Sequence, residues 1–249
     1  MDYKLVKSGV VFDSVNHTYT LDGKQLSGIT SLLDRQLFKD KYLGIPDEIL
    51  RKAAERGTYI HQCCELGDEG FVSDNQESIN YLRLKERYNL RFEESEYLVS
   101  DNEHVASCID KVYRYDDTTF FLGDIKTTSK LNKEYVAWQL SIYAYLFESQ
   151  NPEIKVRHLY AIHIRDGKCK VVKVERIADA KVIALMADEI FDAVPDVRPR
   201  HLFFEADIPE ILSSHTGAIE TLKRNIAQAL EEMGAEIVPF SPINDEKLP

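Results

Sequence analysis

The chain has 249 residues, of which 44% are apolar and 29% charged, a composition typical of a globular protein with one large domain or two small ones. No apolar run reaches the roughly 18 residues needed to cross a bilayer, and the N-terminus lacks the apolar segment of a secretion signal, so we expect a cytoplasmic protein with no membrane partner. With 31 Lys and Arg against 42 Asp and Glu, the net charge of -11 argues against a protein that coats nucleic acid through bulk charge, although a local basic patch can still contact a few phosphates.

The N-terminal part predicts short hairpins followed by two helices. Residues 10–27 contain three strand-like runs, and Asp22-Gly23 is a typical two-residue hairpin turn. Residues 29–38 predict a short helix, and Pro46 with Asp47 begins a longer one that ends near Gly67 and Gly70. Apolar and small residues recur in this longer helix at steps of three and four and predict one inward stripe: Leu50, Ala53, Ala54, Gly57, Ile60, His61 and Cys64.

The rest of the chain alternates helices and strands. The predicted helices are 76–88, 133–149, 178–193 and 216–233, and the predicted strands are 95–100, 105–114, 118–127, 156–164 and 169–175. This order indicates an α/β fold with a mixed central sheet flanked by helices, N-terminal hairpins and C-terminal helices. We expect one compact domain with three parts: an extension over 1–46, a core over 47–176, and a helical extension with a flexible tail over 177–249.

Asp124 and Lys126 are the first residues that suggest chemistry. Side chains alternate along a strand, so these two share one face while Ile125 points to the other. Asp110 ends the preceding strand, and a regular hairpin brings it close to Asp124. Together with a neutral His61, two carboxylates make a plausible Mg²⁺ or Mn²⁺ site, and the lysine can stabilise charge on a phosphoryl oxygen.

Each of these residues also has a structural interpretation. A D-x-K pattern on a strand is usually a solvent-facing ion pair. His61 on an apolar helix stripe is often a core histidine whose hydrogen bonds are satisfied. Gln139 and Tyr143, one helical turn apart, can simply form a polar edge of the core. Glu65, four residues after His61, is a weaker candidate ligand and can equally be solvated.

Four short motifs occur in a specific order: GTYIHQCCE (57–65), CID (108–110), GDIKTT (123–128) and QLSIY (139–143). The series resembles the PD-(D/E)XK nuclease superfamily, and within it the RecB-like branch, which includes phage recombination exonucleases and Cas4-like nucleases. The resemblance covers roughly residues 47–175, and the stretch FDSVNHTYTLDGKQLSGITSLL also resembles the start of phage-borne members. It implies a restriction-endonuclease-like core.

The resemblance implies a role for each motif residue. His61, Asp110 and Asp124 are the metal ligands, and the backbone carbonyl of Ile125 completes the site. Lys126 is the catalytic lysine, and the cofactor is Mg²⁺ or Mn²⁺.

Further expectations concern the surroundings of that centre. Gln139 and Tyr143 match the helical motif that the branch places beside DNA, and Glu96 lies where some relatives carry an extra acidic residue. Several relatives bind an iron–sulfur cluster through one early and three late cysteines. Of Cys63, Cys64, Cys108 and Cys169 only the last is late, and no C-x-x-C pair exists, so we expect no cluster and reduced thiols. No phosphate-binding glycine loop is present, so no nucleotide cofactor is expected.

We therefore expect a metal-dependent deoxyribonuclease of a bacterial or phage-infected cell, most consistent with an exonuclease of recombination, replication or repair that needs a free DNA end. Candidate partners besides single- or double-stranded DNA are a recombination or single-strand-binding protein and a second copy of the chain. Candidate phosphate contacts are Lys130, Lys133, Arg198 and Arg200. The alternatives are a structure-specific endonuclease and a catalytically unused nuclease fold that binds DNA or protein as a regulator.

Overall fold

The computed structural model describes residues 3–14, 16–71 and 74–192. The chain divides into two units, Met1–Ile177 and Ala178–Pro249. The predicted helix at 216–233, the tail, and the linker with Arg198 and Arg200 lie outside the described residues. In the described ranges, no helix is both long enough and apolar enough to span a membrane.

Eight strands and five helices occupy the described residues. The strands are β1 (Val11–Asp13), β2 (Thr18–Leu21), β3 (Lys24–Gly28), β4 (Arg91–Ser100), β5 (Val105–Arg114), β6 (Thr119–Lys126), β7 (Lys155–Arg165) and β8 (Lys168–Val174). The helices are α1 (Ile29–Gln36), α2 (Asp47–Asp68), α3 (Gln76–Arg87), α4 (Lys133–Gln150) and, in the second unit, α5 (Asp179–Asp192). The predicted α/β class is confirmed, and so is the predicted element order as far as Asp192.

Local signals explain most of the element ends. Asp22 and Gly23 both have positive φ, 51° and 81°, as expected for a tight turn between antiparallel strands. The side chain of Asn75 accepts hydrogen bonds from two backbone amides at the start of α3, and Asn132 accepts one from Tyr135 at the start of α4. Asp47 and Glu48 place negative charge in the first turn of α2.

The sheet is mixed, and β5 is its branching strand. One edge of β5 pairs with β4 along most of its length, in antiparallel register. The other edge is shared, because β3 pairs in parallel with Val105 and Ala106, and β6 pairs in antiparallel with residues 111–114. Beyond β6 follow β7, which is parallel to β6, and β8, which is antiparallel to β7. Residues 107–110 of β5 therefore face a gap between β3 and β6.

Helices cover both faces of this sheet in the first unit. On one face α2 and α3 bury Ile60, Cys64, Tyr81 and Leu84 against residues of the central strands, among them Ile125. On the other face Phe147 of α4 packs on the rings of Phe120 and Tyr97. Because β6 is covered on both faces, six of its eight residues are buried.

The predicted inward stripe of α2 is correct only in its second half. Ile60 and Cys64 are buried, whereas Ala53 and Ala54 are exposed. With 22 residues α2 is much longer than its neighbour α3, which has 12 residues, so its first turns extend past the layer that could cover them. All four cysteines are free thiols; Cys63 and Cys64 are buried, and Cys108 and Cys169 are half-buried.

Candidate active site

The candidate site lies where β5 and β6 separate. Their pairing ends at Lys111 opposite Gly123, but β6 continues alongside β7 as far as Lys126 opposite His163. Beyond the last pair, the backbone N–H of Ile125 donates to Oδ2 of Asp110 over 2.7 Å. The Asp110 side chain thus takes the place of a lost ladder partner, which fixes its carboxylate at the opening.

His61 reaches this opening from α2. Its Nε2 lies 3.0 Å from the carbonyl oxygen of Ile125, and its Nδ1 lies 3.6 Å from Oδ2 of Asp110. If Nε2 donates to the carbonyl, the neutral ring keeps its Nδ1 lone pair directed toward the carboxylate, where a cation can use it.

Glu96 supplies a third ligand group from β4. Ligand atoms of His61, Glu96 and Asp110 all lie within 4.8 Å of one another. Glu96 has a φ of 49°, an uncommon left-handed conformation for a residue in a strand, and the register places it opposite Asp110. Burial of its carboxylate and the negative charge of Asp110 raise the pKa of Glu96, although the residue as a whole is exposed. The thiol of Cys108 contacts the same carboxylate at 3.0 Å.

Asp124 and Lys126 form a pair beside this group. The Lys126 ammonium lies 2.7 Å from Oδ2 of Asp124, whose side chain is 1% exposed. Burial, together with the charge of Asp110, raises the pKa of Asp124 to about 6 against the opposing effect of Lys126. Burial lowers the pKa of Lys126, but the charges of Asp124 and Asp110 outweigh it, so its pKa is raised overall and the ammonium stays charged.

Gln139 and Tyr143 of α4 lie buried next to that pair. The amide of Gln139 donates to the Tyr143 hydroxyl over 2.8 Å, and Ser107 donates to the same oxygen over 3.0 Å. Burial and the charge of Asp124 raise the pKa of Tyr143 well above its usual value. Oε1 of Gln139 is buried and has no hydrogen-bond partner in the described structure. The predicted helical motif therefore lies beside the predicted catalytic strand.

The loop after Lys126 is held by residues that sequence reasoning did not find. Arg56 donates to the carbonyl of Thr127 over 3.2 Å, and Arg165 donates to the same oxygen over 3.3 Å. Arg56 is itself fixed by a two-pronged ion pair with Glu77, at 2.6 and 2.7 Å. Its position directly before the motif GTYIH was the only available signal, because its partners are 21 and 71 residues away in sequence.

The remaining predicted residues are peripheral. Glu65 is one turn from His61 and accepts a hydrogen bond from Ser95 over 3.3 Å. Lys130 and Lys133 are exposed after the end of β6, and neither makes an ion pair with another described residue. The structure brings His61, Asp110, Glu96 and the Ile125 carbonyl together, with Asp124 and Lys126 adjacent.

The donor set fits a hard divalent cation. Carboxylate and carbonyl oxygens with one imidazole are ligands that Mg²⁺ and Mn²⁺ accept. Moreover, the ammonium of Lys126 meets Oδ2 of Asp124 off the line of a good hydrogen bond, so this buried oxygen lacks a well-directed donor. A buried carboxylate in that state benefits from an additional positive partner.

No family model matches the chain, and no curated protein matches its sequence. Solved structures that resemble it include the crystal structure of SSO0001, at 17% identity and a TM-score of 0.41 over 78% of this chain and 86% of that one. Another is the alkaline exonuclease LHK-Exo from Laribacter hongkongensis, at 14% identity and a TM-score of 0.35 over 82% of this chain and 94% of that one. Both are distant likenesses.

Proposed function

We propose that the protein is a divalent-metal-dependent deoxyribonuclease that hydrolyses DNA phosphodiester bonds from a free end. The observation that carries this proposal is the convergence of His61, Glu96 and Asp110 within 4.8 Å, beside a buried Asp124–Lys126 pair. A structural ion pair has no need for an imidazole and two further acidic groups at the same opening.

In this proposal Nδ1 of His61, Asp110 and Asp124 hold the cation, and Glu96 is a further ligand. The Ile125 carbonyl, which lies 3.0 Å from Nε2 of His61, orients the imidazole for this. A divalent cation such as Mg²⁺ or Mn²⁺ supplies positive charge to the phosphate oxygens and lowers the pKa of a coordinated water. Asp110 is held for this task by the amide of Ile125, so little rearrangement is needed on binding.

Lys126 stabilises the negative charge that develops on the phosphate during the reaction. Its raised pKa keeps the ammonium charged at neutral pH, and Asp124 fixes its position at 2.7 Å. A charged donor held in a partly buried site stabilises a developing negative charge on a phosphoryl oxygen more strongly than it would in water. Gln139 and Tyr143 position the wall of the site, and Lys130 and Lys133 contact phosphates.

The test is a cleavage assay with purified protein and Mg²⁺ or Mn²⁺ on end-labelled linear DNA, single- and double-stranded, and on covalently closed circles. We expect linear DNA to lose its label only when metal is present, and the closed circles to stay uncut. The Asp110→Asn variant should cleave neither substrate. If the closed circle is cut rapidly, the protein is an endonuclease and the exonuclease assignment is wrong. If wild-type protein cuts no DNA with either metal, the nuclease assignment is wrong.

A further inference from the structure

A groove opens on the surface next to the candidate active site. It has a volume of about 450 Å³ and is lined by residues 36–41, which follow α1, and by Asn132, which caps α4. This volume is in the range of pockets that bind a small molecule or one residue of a polymer.

The buried ring of Tyr135, in the first turn of α4, lies between the groove and the candidate site. The ring of Tyr135 in that turn packs edge-on against Phe38 at 5.1 Å, and the Lys41 ammonium lies 3.6 Å from the centre of the same ring. Burial and then Asp34 raise the pKa of Tyr135 most, and Asp124 adds a smaller effect from the side of the candidate site. Tyr42 directly follows the lining segment 36–41, and the Lys41 ammonium lies 4.7 Å from the centre of its ring.

Exposed lysines lie in and next to the segments that line this groove, on a chain that is acidic overall. Lys39, Lys130 and Lys133 are exposed, and within the described part of the chain none of them has an ion-pair partner. Asp40 and Glu134 are the nearby acidic residues, while Lys41 is already paired with Asp34 at 3.2 Å. Lys39 lines the groove, and Lys130 and Lys133 flank its other lining segment, Asn132, in sequence, so lysines of both segments are available to a phosphodiester backbone.

Apolar side chains in the lining segment and directly after it are also exposed to solvent; we define Tyr42 and Leu43 as the rim of the groove. Leu37 is 42% exposed, Tyr42 is 48% exposed and Leu43 is 80% exposed. An exposed aromatic ring between lysines is the pattern that stacks on an unpaired base, because every base has an accessible face once it leaves a duplex. In a duplex the same faces are stacked on their neighbours and are not available to Tyr42.

We propose that this groove, with Tyr42 at its rim, binds an unpaired nucleotide of the DNA strand beside the scissile phosphate, so that the protein selects single-stranded DNA. Lys39, Lys130 and Lys133 contact its phosphates, and the ring of Tyr42 stacks on its base. The inference rests on the proposed nuclease function and adds the form of the substrate.

Binding is measured by fluorescence anisotropy in EDTA, so that no cleavage occurs, with a labelled oligothymidylate alone and hybridised to its oligoadenylate complement. Tyr42→Ala is compared with Tyr115→Ala, which removes an equally exposed tyrosine (48%) at the opposite end of β6. We expect Tyr42→Ala to weaken single-strand binding by about tenfold, the effect of one stacked base, and duplex binding by less than twofold. Tyr115→Ala should bind both forms like wild type. Lys39→Ala should weaken single-strand binding and reduce its salt dependence.

The outcomes separate the two proposals. If wild-type protein cuts DNA while Tyr42→Ala and Lys39→Ala bind the single strand as tightly as wild type, the groove inference is wrong and the nuclease assignment stands. If Tyr42→Ala loses the same affinity for single-stranded DNA as for the duplex, the groove inference is also wrong, because the groove would then not select an unpaired base. If the wild-type protein binds single-stranded DNA selectively but cuts no DNA, the groove inference is supported and the nuclease assignment is wrong.

Discussion

The ammonium nitrogen of Lys126 lies 2.7 Å from Oδ2 of Asp124, and the two side chains are only 22% and 1% exposed. A D-x-K pattern on a strand usually forms a solvent-facing ion pair, and such pairs contribute little to stability. Here the pair lies instead at the end of a strand that is buried on both faces, beside Asp110 and His61. Burying two charges is costly, and the fold offsets that cost only in part through their mutual attraction. The catalytic role proposed above gives a reason for keeping the pair despite this cost.

Replacing Lys126 tests whether the ammonium acts on the reaction. We expect Lys126→Ala to lower the single-turnover rate by about two to three orders of magnitude, because it removes charge stabilisation in the transition state. DNA affinity, measured with Ca²⁺ in place of Mg²⁺, should change by less than about threefold. Lys168→Ala, which removes an exposed lysine at the start of β8, is the matched control. If a folded Lys126→Ala protein cleaves DNA at the wild-type rate, the Asp124–Lys126 pair has only a structural role.

The cation site can be tested without DNA. We expect Asp110→Asn and Glu96→Gln each to lower Mn²⁺ affinity by at least about tenfold in an electron paramagnetic resonance titration, because each change replaces a charged oxygen ligand by a neutral one. Asn keeps an oxygen that can accept the hydrogen bond from the Ile125 amide, so the local fold should persist. Asp117→Asn, at the far end of the β5–β6 hairpin, is the control. If Glu96→Gln binds Mn²⁺ like wild type and Asp124→Asn does not, the ligands are His61, Asp110 and Asp124 without Glu96.

The sequence predicted the elements well because their ends carry local signals. Asp22-Gly23, Asn75 and Asn132 each stabilise a turn or a helix start through their own side chains or backbone, independently of distant residues. The α2 stripe was less predictable, since periodicity shows which residues of a helix share a face but not how far the neighbouring layer extends. Ala53 and Ala54 fall beyond that layer.

The finer geometry of the site depends on contacts that no local pattern encodes. Asp110 is held by the amide of Ile125 only because the pairing of β5 and β6 does not extend beyond Lys111 and Gly123. Glu96 faces the site with a φ of 49°, a conformation that its sequence neighbours do not predict. The motif order led to His61, Asp110, Asp124 and Lys126 before their distances were known, and their role as a catalytic site stays a prediction.

Gly123, directly before Asp124, has no room for a side chain. A Cβ there would lie 2.9 Å from the ring of Tyr113 and 3.1 Å from Cδ1 of Ile162. We expect Gly123→Ala to lower the free energy of unfolding by about 1–3 kcal/mol, because a packed core cannot absorb the extra atom without shifts. Gly57→Ala is the contrasting variant, since its Cβ would meet Thr127 at an ordinary 3.4 Å and alanine favours a helix by up to about 1 kcal/mol. Urea denaturation should show the first variant less stable and the second unchanged or more stable. Equal midpoints for Gly123→Ala and wild type would mean that β6 adjusts freely.

The last prediction concerns a buried charge cluster behind the site. The carboxylate of Asp68, at the end of α2, is fully buried and lies 2.8 Å from the ammonium of Lys111, which is 2% exposed. It also pairs with Lys85 and accepts a hydrogen bond from the Tyr81 hydroxyl over 2.8 Å. Lys85 is partly exposed and can reach solvent without this partner, but Lys111 cannot.

We therefore expect Asp68→Ala to lower the free energy of unfolding by about 3–5 kcal/mol, because it leaves the Lys111 charge buried and unpaired. Glu55→Ala, which breaks the exposed Arg51–Glu55 pair on the same helix, should cost less than about 1 kcal/mol. Both are measured by urea denaturation followed by circular dichroism. Adding Lys111→Met to the Asp68→Ala variant should restore much of the lost stability, since the uncompensated charge is then removed. If Asp68→Ala costs no more than Glu55→Ala, water must reach Lys111, and the cluster does not stabilise the end of α2 in the way its burial indicates.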